Sequence, residues 1–388
     1  MRPVNKNVFE RAIMWSGTTD LIDLISFANA SERYAINPVT GEVTYAAAGV
    51  PMIVTINGVR YLQAESARTC LNTYNTNLTN AAWQKITVAD VRAASATPDP
   101  MGGSTTYKLI PSTDNAEHFI YQNLTGRTIG CFFKNNGHNY AYVRGFLPGP
   151  KFPSAIVNLT TGAVTGLIEP TLIKSMRAIM RSDGWIWISG VWTADSTYSE
   201  YGVTNTDSTI TFAGDGIKSV DMWLPQYTAH IVSLGSPIKT PTVAVTRAKD
   251  EALIASALVS IQRDRWQWSG YLGYASTQLN AGDKRYLFHF ADSGANVCGV
   301  YVSGTDLKVH VDNSNGADAI LSAALTWTAA TKWTVTGIRA TGALTVAGPT
   351  GGSTETGSAW NRPDGALYLN MDSSLANQLD GMGRIDPV

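Results

Sequence analysis

Pro51-Met52-Ile53-Val54-Thr55-Ile56-Asn57-Gly58-Val59-Arg60-Tyr61-Leu62 gives the clearest indication of how this chain folds. Two apolar runs flank Asn57-Gly58. Asn-Gly lets both central residues of a tight turn take positive φ, and that twist matches the twist of paired strands. The stretch therefore predicts a β-hairpin. The same grammar continues outward. Asn37-Pro38-Val39-Thr40-Gly41-Glu42-Val43 and Leu159-Thr160-Thr161-Gly162-Ala163-Val164 each place a glycine where a bulged hairpin needs positive φ. Residues 118–124, 128–134, 139–147, 220–224, 331–338 and 366–371 read as further strands. Residues 185–192 are apolar on both alternating faces, as a fully buried strand should be. Leu307, Val309 and Val311 alternate with Lys308, His310 and Asp312.

Breaks in the pattern are few. Three prolines between Gly145 and Pro153 remove ladder donors, so that stretch reads as a long exposed loop. Gly348 to Ser353 reads as a flexible loop. Asp250 to Val259, with acids in its first turn, predicts a short helix. Thr19 is placed to cap a single helical turn over residues 20–25. Short strands with turn residues between them and almost no helix predict an all-β chain of tandem antiparallel β-sandwich domains. The expected divisions are an attachment or oligomerisation segment over 1–26, a β-hairpin linker over 27–70, a first sandwich over 71–240 and a second over 241–388. Ser236-Pro237-Ile238-Lys239-Thr240-Pro241-Thr242 marks the main boundary.

A chain of 388 residues exceeds the usual single domain. Its hydrophobic content of 44% suffices for real cores, while charged residues make up only 15%. A formal net charge of -1 argues against binding nucleic acid through a broad basic field. No stretch approaches the ~18 apolar residues of a membrane span, and no secretory signal is read at the start. The three cysteines, Cys70, Cys131 and Cys298, are far apart and odd in number, which favours buried reduced thiols over a disulfide framework.

Five fragments in order carry a resemblance. They are Phe27 to Val43 (FANASERYAINPVTGEV), Leu62 to Asn72 (LQAESARTCLN), Asn80 to Lys85 (NAAWQK), Asp183 to Gly190 (DGWIWISG) and Val245 to Asp250 (VTRAKD). The set resembles the lectin-like spike and fibre proteins carried on tailed-bacteriophage virions. That family opens on TRASxAxYxNxxG and continues through LLIEPARTNLL, NAAW, GWYR and AVTRA. Cys70 stands here where the family has Asn, and Ile186-Trp187 replaces its Tyr-Arg. The resemblance implies jelly-roll, lectin-like domains, the first like a carbohydrate-binding module and the second concanavalin-like. It implies a virion location after assembly in the host bacterial cytoplasm, and self-association, often as a trimer. Its implied partners are other virion proteins of capsid or tail, reached through the N-terminal segment, and host-surface glycan. Neither nucleic acid nor membrane is among them.

Sugars offer C–H faces that stack on aromatic rings and hydroxyls that need amide and acid partners. Three clusters meet that description. Tyr140 and Tyr142 share a strand face with Arg144, beside Asn135, Asn136, His138 and Asn139. Trp266 and Trp268 lie among Arg263, Asp264, Arg265 and Gln267, the most charged surroundings of the three, which predicts the position nearest the surface. Tyr198 and Tyr201 lie near Asp195 and Glu200. The competing reading for each cluster is the core or hydrophobic rim of a sandwich. Arg68 and Arg247 are expected to be structural clamps.

Catalytic motifs are missing. A glycan-cleaving site needs paired carboxylates, and the Glu-x-Asp-x-x-Glu string of glucanase-type sandwiches does not occur. Gly-x-Ser-x-Gly and phosphate-binding loops do not occur either. Asp312-Asn313-Ser314-Asn315-Gly316 reads as a hairpin turn in preference to a calcium loop. No metal or cofactor is assigned. The sequence thus predicts a non-enzymatic binding protein, with a purely architectural decoration or adaptor subunit as the main alternative and a polysaccharide depolymerase behind it.

Overall fold

The structure is a computed structural model that describes residues 26–93, 95–230, 235–254 and, from residue 265 on, the strands named below. The chain is all-β, built from antiparallel sheets as in a β-sandwich. It divides into two compact units. One holds Arg33–Tyr45 and Ala67–Arg247; the other holds Ala46–Ser66, the described residues of 26–32 and those from Ala248 onward. Residues 27–70, expected as one linker, are therefore shared between the two. Met52–Ile56 pairs with Val59–Ala64, which pairs in turn with Gly381–Pro387 near the far end of the chain.

In that second unit the Asn57-Gly58 hairpin forms as read. Ile56 faces Val59, and Asn57 and Gly58 both have positive φ, 51° and 78°. Its strand Val59–Ala64 lies in a seven-stranded sheet with Gly381–Pro387, Arg265–Tyr271, Lys332–Ile338, Ala343–Gly348 and Gly351–Thr356. Another seven-stranded sheet runs Ser26–Ala28, Glu251–Ile254, Leu367–Leu369, Lys284–Phe290, Val297–Ser303, Asp306–Asp312 and Ala319–Ala324. The helix expected from Asp250 is replaced at its start by the strand Glu251–Ile254. The Asp250 carboxylate takes the backbone N–H of Glu65 at 2.9 Å, a long-range bond in place of a helix cap. Residues 255–259 of that expected helix, the 1–25 segment and the 313–318 turn lie outside the described residues.

The first unit is built on an eleven-stranded sheet. Its main order is Val164–Ile168, Ser154–Asn158, Tyr140–Arg144, Ile186–Thr204, Asn115–Asn136, Ser219–Thr228, Tyr107–Pro111, Val88–Ala93. Gln84–Ile86 and Thr211–Ala213 pair with Asn115–Asn136, and Ile173–Met180 pairs with Ile186–Thr204. Strand alternation sends Ile129, Cys131, Phe133, Val143, Ile186, Ile188, Tyr201 and Val203 to one face, where they form the main core with Trp83, Leu109 and Trp192. Cys70 and Cys131 are buried and free; burial pushes the Cys70 thiol up to about 11 and Cys131 well above its ordinary value. The side chain of Cys298 lies outside the described residues.

Both Asn-led turns are built alike. The Asn37 and Asn158 side-chain oxygens each accept two backbone N–H groups within the turn, and Gly41 and Gly162 take positive φ. Arg68 and Arg247 sit opposite each other in the short ladder Arg68–Cys70 with Val245–Arg247, and both are buried.

The opposite face of the large sheet is covered over one half. Phe132, Ile179, Trp185, Trp187 and Trp223 cluster there, with Ile36 and Val43 of the N-terminal hairpin against them. The 98–105 loop is fastened to the same rings: Trp185 Nε1 donates to Pro98 O (3.1 Å) and Trp223 Nε1 to Thr105 Oγ1 (2.8 Å). The Asp99 carboxylate ties that loop by accepting from Met101 N, Gly103 N and the Thr105 hydroxyl. Its burial alone would raise the carboxyl, but these donors hold it below its ordinary value. The other half of this face carries the candidate site.

Candidate functional site

Three adjacent strands set the site by register. Tyr142 lies opposite Gly202, and Gly202 opposite Phe119. One step on, Arg144 lies opposite Glu200, Glu200 opposite Tyr121, and Tyr121 opposite Gln84. Tyr198 follows, opposite Asn123. Two parallel rows of side chains thus cross the sheet on the face away from the main core. Tyr142, Phe119, Ile156 and Ile210 pack beneath, with Tyr121, Tyr140 and Ile168 partly buried against them.

Gly202 has a steric reason. The Tyr142 ring lies across it, so a Cβ there would run into the Tyr142 ring. Gly202→Ala is expected to cost about 2 kcal/mol, because the buried ring has to leave its rotamer. A urea titration of the variant checks this; an unchanged midpoint would contradict the packing.

The loop after Arg144 completes the site. Gly145 has no room for a Cβ, which would lie 2.7 Å from Trp192 Nε1. Phe146 N donates to Ser196 Oγ at 2.7 Å, and Leu147 pairs with Lys151 across the loop. The loop expected to be long and exposed is therefore a tight hairpin, with Leu147 buried and only residues 148–152 exposed. Its closure returns Phe152 to Phe146 (ring centroids 4.8 Å apart), and Phe146 stacks on Tyr198 at 5.1 Å and 17°. Tyr198 meets Tyr121 edge-on at 5.5 Å, and Tyr121 meets Phe119 at 5.7 Å. Five rings form a continuous arc. Tyr121, Tyr198 and Phe146 are half-buried and Phe152 is 38% exposed.

Arg144 stands inside the arc. Its Cζ lies 4.8 Å from the Phe119 centroid and 5.3 Å from that of Phe152, within cation–π range. Its Nε donates to Glu200 Oε2 and its Nη2 to Glu117 Oε2, the latter at 2.7 Å. Burial alone would pull the guanidinium down, but the Glu117 hydrogen bond and the Glu200 charge reverse this and hold it charged. Burial pushes the Glu200 carboxyl up to about 7, and Arg144 draws it back only in part. Glu200 is almost fully desolvated, whereas Glu117 keeps 38% of its side chain in solvent. The arrangement offers an arc of aromatic rings, a fixed cation and a solvent-reaching carboxylate acceptor.

Two of the three sequence clusters meet here. Tyr140, Tyr142 and Arg144 share the face as read, and Tyr198 joins them from the neighbouring strand. Tyr142 is wholly buried, so it supports the site from beneath. Tyr201 faces the other way, into the main core, where its hydroxyl donates to Gln226 O at 2.7 Å; an odd spacing from Tyr198 places it across the sheet. Asn139 is exposed but belongs to the turn at the far end of its strand, bonded to Asn135. Trp268, expected near the surface, is completely buried beside Val335 and Ile385. Arg265 is the first residue of that strand, and charge in flanking sequence does not decide which face Trp268 takes. Trp266 is in the same strand, opposite Gly337, and its side chain lies outside the described residues. Sequence reasoning missed Glu117, Phe119, Tyr121, Phe146 and Phe152, although Glu117, Phe119 and Tyr121 share one face at a spacing of two. Among the described residues, no group of three or more His, Cys, Asp or Glu is placed to hold a metal ion.

No protein-family model matches the chain, and no curated protein matches it. Among solved structures, domains LG4-5 of the mouse laminin alpha1 chain are similar at 8% identity, covering 87% of this chain and 93% of that one, with a TM-score of 0.26. A TM-score of that size does not establish a common topology.

Proposed function

We propose that this chain is a tailed-phage virion subunit (a spike, fibre or decoration protein) that adsorbs to host-surface glycan through the Arg144 face. One observation carries the binding reading: a half-exposed arc of aromatic rings ends on a fixed Arg–Glu pair that reaches solvent. Rings of that kind stack on sugar C–H faces while the charged pair serves hydroxyls. The virion location rests on the ordered fragments from Phe27 to Asp250. A single site of this kind binds weakly, and several copies raise avidity through effective concentration, which suits a homo-oligomer, in the first instance a trimer, joined to capsid or tail proteins through residues 1–26.

A depolymerase is the second reading, favoured by Glu117 and Glu200 meeting on one guanidinium from different strands. Incubation with surface polysaccharide from candidate host bacteria separates the readings. Retention with unchanged polymer length is the expected result. Tyr198→Ala should then weaken retention by about tenfold with the fold intact. Shortened polymer would select the enzyme. No retention would leave the architectural subunit.

A further inference from the structure

We infer that the glycan is neutral and that the Arg144–Glu117 pair reads a vicinal diol on it, an inference resting on the glycan-binding reading above. Donors, acceptors and charge all point that way. Arg144 uses Nε on Glu200 and Nη2 on Glu117. Among the described residues its Nη1 donates to nothing, and Glu117 Oε1 accepts from nothing. A guanidinium N–H donor is thus held beside a carboxylate acceptor, with one hydrogen bond fixing the two groups in relation to each other. Two neighbouring hydroxyls match that pair: one accepts from Nη1 and the other donates to Oε1. The apolar face of the same sugar then has Phe152, the most exposed ring of the arc, to lie against.

Charge excludes the acidic alternative. Arg144 is the cation at the centre of the arc, and both of its ion pairs are with carboxylates. A uronate or phosphate would have to approach Glu117 beside a cation already paired with two carboxylates. Arg127 is engaged with Asp195 at 2.9 Å. Lys151 lies exposed on the neighbouring loop, where solvent and salt screen it. The site is therefore selective against acidic capsules by repulsion, and for neutral sugars by its paired donor and acceptor.

The test uses the full chain and immobilised polymers of both classes: dextran, pullulan and galactomannan as neutral diol-bearing probes, hyaluronan and polygalacturonate as acidic ones. Retention of at least one neutral polymer over both acidic ones is expected. Periodate oxidation followed by borohydride reduction, which destroys vicinal diols, should then lower that retention at least about tenfold, as should Glu117→Ala. Glu117→Ala also takes a 2.7 Å partner from the buried Arg144, so its melting temperature is measured alongside and retention is compared at a temperature where the variant is folded. Stronger retention of an acidic polymer, or neutral retention that survives periodate, overturns the inference and leaves glycan binding standing. Retention of no polymer of either class removes the glycan-binding reading and this inference with it.

Discussion

Replacing Arg144 with methionine is expected to lower the unfolding free energy by about 3 kcal/mol near pH 8, and by less near pH 5. The arginine bonds Glu200, whose side chain keeps only 3% of its surface in solvent. Removing one partner of such a pair leaves the other charge buried and uncompensated. The pH dependence follows from the carboxyl. Burial raises the folded-state value of Glu200 from 4.5 to about 7, so the folded protein binds the proton more tightly than the unfolded chain. The stability from that proton is complete below about pH 4.5 and is lost as pH rises toward about 7. Without Arg144 the carboxyl rises further. Near pH 5 it is then neutral and tolerable, whereas near pH 8 the protein must bury the charge or bind a proton against the solution. Urea titrations at both values measure this, and adding Glu200→Gln to the variant should recover much of the loss at the higher pH. An equal loss at both values would show that packing, and not charge, dominates.

Asn75→Ala is expected to destabilise the first unit by about 3 kcal/mol with little effect on the aromatic face. Asn75 is buried beneath the core. Its amide donates to Ile238 O at 2.8 Å and Pro225 O at 3.2 Å, and its oxygen accepts from Thr240 N at 2.7 Å. Gln226 reinforces the tie, donating to Ile238 O at 2.9 Å and accepting from Ile238 N at 2.8 Å. These bonds fasten the 238–240 stretch to a bulge where Leu224 takes φ of 52° and Pro225 lacks a donor. Alanine would leave Thr240 N–H without its acceptor in a buried place, and Ile238 O and Pro225 O with only the Gln226 amide as donor. Melting of the variant, compared with Asn77→Ala at an exposed turn, checks the size. A loss as small as that of the control would mean that water replaces the amide.

The hairpin at Asn57-Gly58 and the turns at Gly41 and Gly162 are legible in the sequence because turn chemistry is local: an amide side chain and a positive-φ residue at a fixed offset suffice. The strand character of 185–192 is legible for a similar reason. The helix expected from Asp250 does not form at its start because Asp250 makes a long-range bond to Glu65, which propensity does not report. The site is half legible. Spacing places Tyr140, Tyr142 and Arg144 on one face. It has no means of showing that Glu117 and Glu200, 83 positions apart, converge on Arg144, since strand order and register decide that. The prolines between Gly145 and Pro153 suggest an exposed loop, while its packing depends on Phe146 finding Tyr198. Trp268 is not a surface residue because charge in flanking sequence does not tell which face a strand residue takes.

Backbone hydrogen exchange with and without a retained polysaccharide asks most directly whether the Arg144 face is where this chain meets its ligand. Added protection is expected in residues 117–123, 144–153 and 196–200, with little change in the strand Arg265–Tyr271 that holds Trp268. Protection confined to other segments, with these three unchanged, would contradict binding at the Arg144 face.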